Sequence, residues 1–250
     1  MKQTNANTAE HHFFFAAALI LLGTALLGFS RTLYLRPWFP ERVAASPPEA
    51  IFLWHGAACS AWLLLLTAQT WLTSNNALRS HRRLGWLAVI VIPLVALTGW
   101  LAMRTGATRP GGFVGVPIKP EHFLIVPLGD LVFVVVLTTL GFLARRTPAA
   151  HKRFMLLGTL PMMDAAIFRW PFDFASGNPP IEALAKLVSN SDLVLLLYLL
   201  PLLAWDWLRL GRIHPVTGWS SLALVSYVLL RMPLGETEAW QFLARILLGT

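Results

Sequence analysis

Four histidines define the chemistry open to this chain. His55 and His122 are 67 positions apart, His81 and His151 are 70 apart, and each lies at or near the start of an apolar run. Neutral imidazole is a common metal ligand and an axial ligand of haem iron. The matched spacing suggests two bis-histidine sites, His55 with His122 and His81 with His151. Each would hold one haem b, and the two haems would lie at opposite faces of a membrane and carry electrons between them. A plainer reading competes. His81 and His151 sit among arginines and lysine, in R-S-H-R-R-L-G-W and A-A-H-K-R-F, where imidazoles also touch headgroups or cap turns. His214 marks a third such turn, and His11 and His12 belong to a leading tail.

Charged residues inside apolar runs form a second set: Asp130, Asp164 and Arg169, with Asp192 opening a run. An aspartate at the centre of a spanning helix costs about 2.5–3.5 kcal/mol on insertion scales, so it normally has a partner or a task. Asp164 is the deepest, and Arg169 or an imidazole from another helix is its expected partner. One reading is a structural ion pair. The other is a polar pocket of His55, Asp130, Asp164 and Arg169 in the outer half of the membrane, serving protons or a small polar ligand. No H-E-x-x-H, G-x-S-x-G or phosphate-binding glycine loop appears, so hydrolases and nucleotide enzymes gain no support. Catalytic residues are therefore not assigned, and a membrane oxidoreductase is the enzyme class left open. The last apolar run holds no lysine for a retinal Schiff base.

Composition says what must position these residues. Of 250 residues 56% are hydrophobic and 13% charged, half the charge of ordinary soluble domains, which points to lipid as the solvent. The net charge of +8 sits in short loops between apolar runs, so it encodes membrane topology rather than nucleic-acid binding. A single cysteine, Cys59, excludes an intrachain disulfide and a thiolate metal site. The expected fold is all-α: an integral membrane bundle of about seven transmembrane helices built from helical hairpins. The runs are Phe13–Phe29, Ile51–Leu72, Leu84–Met103, Phe123–Ala144, Phe154–Trp170, Leu193–Leu208 and Val216–Leu234, the last being the weakest. Three parts follow: a loose polar tail over 1–12, the transmembrane domain over 13–234, and an amphipathic segment over 235–250. That segment places Trp240, Leu243, Ile246 and Leu247 on one face, as an interfacial helix would.

The turns after the second, fourth and sixth runs are short and basic, with Arg79, Arg82 and Arg83, then Arg145, Arg146, Lys152 and Arg153, then Arg209 and Arg212. Such turns face the cytoplasm, which puts the N-terminus inside. The first run is long and G-F-S-R is a poor cleavage site, so it is expected to remain as a helix rather than leave as a signal peptide. The hairpin from Asp130 to His151 resembles that from Asp192 to His214, consistent with either convergence or duplication of a hairpin.

Two resemblances add to this. The strings H-R-R-L-G-W, P-L-G-D-L, H-K-R-F-M-L-L-G and G-R-I-H-P resemble an uncharacterised family of bacterial multi-pass inner-membrane proteins, over Trp54 to about Trp219. That likeness implies an inner-membrane protein of helical hairpins and no particular activity. By histidine layout alone, residues 51–172 resemble the ascorbate-dependent di-haem transmembrane cytochromes b, which implies haem ligation by His55, His122, His81 and His151. The expected surroundings are the lipid bilayer and no nucleic acid. Three functions remain in contention: haem-b electron transfer, an accessory or assembly role that docks a membrane-protein partner, and a small proton-coupled transporter.

Overall fold

The computed structural model describes residues 2–39, 49–170 and 191–249. Among these residues the structure is helical and contains no strand. Helix α1 is Lys2–Gly28, α2 is Ala50–Ser74, α3 is Leu78–Gly85 and α4 is Ala88–Thr108. A helical turn, Pro120–Phe123, leads into α5, Ile125–Leu143, and then α6 is Pro148–Thr159 and α7 is Met163–Ile167. Helices α8 (Ser191–Leu197), α9 (Leu200–Leu210), α10 (Pro215–Gly235) and α11 (Glu238–Leu248) complete the chain.

Local chemistry sets these boundaries. Pro148 and Pro215 stand in the first turns of α6 and α10, where a missing N–H costs nothing and the fixed φ suits a helix. Pro161 has the opposite effect, and the chain tightens into a 3-10 turn over Leu160–Met162 between α6 and α7. His214 caps α10 by accepting the Val216 N–H on Nδ1 at 3.1 Å. Thr237 caps α11 through the Trp240 N–H at 3.3 Å, and Gly249 ends it in the left-handed conformation.

Five stretches among the described residues are long and apolar enough to cross a membrane: Thr8–Gly28, Ala50–Ser74, Ala88–Thr108, Pro120–Arg146 and Ser191–Leu210. The chain is a multi-pass α-helical membrane protein on that count, with five such helices rather than the seven expected. The other two runs are helical but of a different character. The run Phe154–Trp170 is broken at Pro161. The run Val216–Leu234 lies in α10, whose buried face carries Thr217, Ser220, Ser221 and Arg231. The opposite face of α10 carries the exposed side chains Trp219, Leu222 and Leu229. Over the stretch expected as a polar tail, α1 begins at Lys2, no proline or glycine interrupts it before Gly23, and Glu10 pairs with Lys152 at 2.5 Å. The outer loop expected after Trp170 lies outside the described residues.

One core joins Leu21 of α1, Leu157 of α6, Met163 and Ile167 of α7, Leu202 of α9 and Leu224 of α10. A second joins Trp62 and Leu65 of α2 to Ile92 and Val95 of α4 and Val134 of α5. The amphipathic helix α11 docks on a third, burying Ala244 and Leu248 against Met103, Ala107 and Leu124. Its docking face is therefore turned from the expected one: Trp240 and Leu247 join the contact, while Leu243 and Ile246 stay exposed. Leu64, Ile90, Leu97, Val136 and Leu229 likewise point outward, as side chains in lipid do.

Lipid removes the hydrophobic drive between helices, so close backbone approach at small residues must supply packing. At Gly28 an added Cβ would lie 2.3 Å from the Ala166 carbonyl oxygen of α7. At Gly158 of α6 it would lie 2.9 Å from Leu137, from the Thr138 methyl and from the Thr138 backbone nitrogen of α5. Gly23 meets nothing within 4 Å. Gly158→Ala is expected to lose about 1–3 kcal/mol through overpacking of α6 on α5. Gly23→Ala is expected to be neutral or to gain up to about 1 kcal/mol of helix propensity. Thermal unfolding of both variants in detergent, followed by size-exclusion recovery, checks the pair.

Candidate functional site

The basic turns bring two of the four histidines together. His81 lies in α3, and its Nδ1 is 3.3 Å from the Gln69 carbonyl oxygen on α2. His151 lies in α6, and its Nδ1 is 2.7 Å from the Gly141 carbonyl oxygen near the end of α5. A carbonyl oxygen only accepts, so each ring carries its proton on Nδ1 and leaves Nε2 with a lone pair. The ring centroids are 6.3 Å apart with planes at 87°. Burial is the largest influence on both imidazoles and pushes each below the ordinary histidine range. The Gln69 carbonyl partly opposes this at His81, where His151 and Arg82 push further down. The Gly141 carbonyl partly opposes it at His151. Both rings are therefore neutral at pH 7.

Imidazole is a usual axial ligand of haem iron, and His81 and His151 are the residues that would hold one here. Next to the pair, the Gln69 side-chain amide is buried with neither Oε1 nor Nε2 hydrogen-bonded. An orphaned buried polar group costs about 1–3 kcal/mol, and this one lies against Gly85 at the end of α3. On α3, Arg79, Arg82, Arg83 and Trp86 line an open cleft that offers cationic partners to carboxylates.

His55 and His122 are not brought together. The His55 ring packs against Gly99 of α4, with Nδ1 3.2 Å from Thr98 Oγ1 and the Cys59 thiol one turn along its own helix. His122 lies in the turn before α5, where its backbone carbonyl packs closely against Gly235 of α10. Among the described residues no ring contact or hydrogen bond joins the two, so the second bis-histidine site is not assembled.

Two buried ion centres hold the same helices. At the histidine end, Arg153 of α6 and Asp206 of α9 are each 1% exposed or less. Arg153 donates to Asp206 Oδ1 from Nε at 3.0 Å and from Nη2, and to the Ala149 carbonyl oxygen from Nη1 at 2.8 Å. Asp206 Oδ2 accepts from the His214 N–H at 3.1 Å and from Thr217 Oγ1 at 2.5 Å. This pair is saturated with hydrogen bonds, the condition under which a buried ion pair is tolerated.

Toward the opposite end lies Arg231 of α10, 3% exposed. It donates to Asp164 Oδ2 of α7 from Nη1 at 2.7 Å and to Asp192 Oδ1 of α8 from Nη2, and Asp130 Oδ1 of α5 is 3.6 Å from Nη1. The Tyr227 hydroxyl, one turn earlier on α10, is 3.0 Å from Asp130 Oδ1 and 2.6 Å from the Val126 carbonyl oxygen. Close approach of Tyr227 requires Gly129, where a Cβ would come within 2.2 Å of the ring. The predicted polar pocket is thus corrected in two places. The partner of Asp164 is Arg231 and not Arg169, which donates to the Ala165 carbonyl oxygen and lies over the Phe29 ring at 4.5 Å. His55 is engaged elsewhere, whereas Asp130, Asp164 and Asp192 do converge.

Sequence reasoning passed over Arg231, Tyr227, Arg153, Asp206 and Thr217. The signal was present at Asp206 and Arg231, which interrupt the strings L-L-A-W-D-W-L and Y-V-L-L-R-M-P-L. Comparison with family models, curated proteins and solved structures found no match to this chain. Asp206→Ala strands the Arg153 guanidinium and is expected to cost about 3–5 kcal/mol. Arg153→Met combined with Asp206→Leu is expected to recover most of that loss. Detergent thermal melts of the single and double variants give the comparison.

Proposed function

We propose that this chain is a membrane haem-b protein with one bis-histidine site formed by His81 and His151. The observation that carries the reading is the pair of perpendicular neutral imidazoles, 6.3 Å between centroids, with both Nδ1 atoms held by backbone carbonyls. A protein-held Nδ1–H orients an imidazole for ligation through Nε2 and raises its basicity. The arginines of the α3 cleft suit the haem propionates, and the free Gln69 amide suits a polar edge of the ligand. When bound, haem would supply one-electron chemistry, which makes a membrane electron-transfer role the natural use. The chain's own residues orient the ligands and keep them unprotonated.

The setting proposed with it is a bacterial inner membrane, with the basic turns and the histidine pair on the cytoplasmic side. About seven membrane crossings follow if the broken helix α6–α7 and helix α10, with polar residues on its buried face, also traverse the bilayer. Kinship with the bacterial multi-pass family rests on the four strings from H-R-R-L-G-W to G-R-I-H-P.

Purified protein from haem-replete cells is expected to show sharp dithionite-reduced b-type bands and about one haem per chain by pyridine haemochrome. His81→Ala and His151→Ala are expected to lose that haem, and His55→Ala and His122→Ala to keep it. A colourless protein that takes up no added haem overturns the reading. Haem retention is further expected to be flat above the ordinary histidine value of about 6.5 and to fall in more acidic buffer. The sign follows from burial: the folded rings favour the neutral form, and protons compete with iron for Nε2 only below that range. Absorbance across a pH series measures this.

A further inference from the structure

The Arg231 centre holds three carboxylates against one guanidinium. Charges inside an apolar bundle must be balanced locally, because the low dielectric leaves the remainder unscreened. Asp164 and Asp192 take the two hydrogen bonds from Arg231, and Asp192 is 39% exposed at the rim, where water can share its charge. Asp130 has neither support. It stands 3.6 Å from the guanidinium, beyond hydrogen-bond distance, and is 16% exposed.

Hydrogen counting then singles out Asp130. A phenol has one hydrogen to donate and can also accept. The Tyr227 hydroxyl has one hydrogen and faces two acceptors, the Val126 carbonyl oxygen at 2.6 Å and Asp130 Oδ1 at 3.0 Å. An ionised carboxylate only accepts, so with the hydrogen on the shorter contact the Asp130 contact would set lone pairs against each other. With a proton on Asp130 the contact becomes an ordinary hydrogen bond in which the carboxyl donates and Tyr227 accepts. A separate observation marks the centre as unfilled: Asp164 is 5% exposed with Oδ1 unpartnered, and Arg231 Nε is buried without an acceptor.

We propose that this centre is a proton-binding site in which Asp130 carries one exchangeable proton, donated to Tyr227, while Arg231 holds Asp164 and Asp192 as carboxylates. Loading is a simple protonation, a proton from water adding to the Asp130 carboxylate, with Asp192 at the rim as the group in contact with solvent. Among the described residues, the charged or titratable groups facing Asp130 are Tyr227 and Arg231 from α10, Asp164 from α7 and Asp192 from α8. On the α2–α4 side, His55 packs on Gly99 beside Leu131 and is engaged by Thr98. The proposal does not rest on haem, and its test reads a different signal.

The test is infrared spectroscopy of the full chain in detergent at neutral pH. The wild type is expected to show a protonated-carboxyl C=O stretch that shifts in D2O. Asp130→Asn is expected to remove it, and Tyr227→Phe to shift it by removing its hydrogen-bond partner. Should Asp130→Asn not fold, the D2O shift in the wild type and the Tyr227→Phe shift carry the test. Absence of the band in the wild type, or a band unchanged in both Asp130→Asn and Tyr227→Phe, overturns the proposal. A band that vanishes when sodium replaces choline at constant ionic strength also overturns it, since the centre would then take a metal cation.

Discussion

A guanidinium buried in an apolar bundle needs acidic partners, and Arg231 gathers acidic side chains from three other helices. Asp130 on α5, Asp164 on α7 and Asp192 on α8 all meet it. Removing a single partner from such a set exposes the others to an uncompensated field, which is why buried ion groups fix relative helix positions even where they add little net stability. At the other end of the bundle, Arg153 and Asp206 tie α6 to α9, and Thr217 brings in α10. Thr217 and Arg231 are 14 residues apart on α10, about 21 Å along its axis. One helix is therefore pinned near both ends, and the rest of the bundle is arranged around it.

The histidine pair depends on that frame and on backbone rather than on side-chain partners. Gly141 is among the last four residues of α5, where helix carbonyls have no intrahelical donor left, and Gln69 lies in the last turns of α2. Their oxygens face the rings of α6 and α3, so backbone at two helix ends orients two imidazoles. The contact is possible because Gly141 and Gly158 let α5 and α6 approach closely, with Met155 and Phe154 packed where a Cβ at Gly141 would lie.

The helical and membrane character was legible in the chain because apolar length and loop charge act locally. Helix number was less legible: Pro161 and Arg231 change the role of a run without abolishing its apolar look. The rings of His81 and His151 lie close together, whereas His55 and His122, matched by the same spacing, make no contact with each other among the described residues. Thr98 and Gly99 of α4 draw the His55 ring sideways, an effect of packing that no linear distance contains. Asp164 announced itself as a buried charge, yet its partner lay 67 residues on in the last long helix, while the nearby Arg169 turned to Phe29. Asp130 and Asp192, aligned by the hairpin likeness in the sequence, do meet at one guanidinium, as a repeated unit closing on a shared partner would.

The position of Arg231 in the chain also bears on how the protein is made. Synthesis runs from the N-terminus, so Asp130, Asp164 and Asp192 are all released from the ribosome before Arg231. An arginine in a spanning helix partitions poorly into lipid by itself. The chain order therefore lets α10 meet acidic side chains that are already synthesised, so the costly cation is the last member of its own centre to be made.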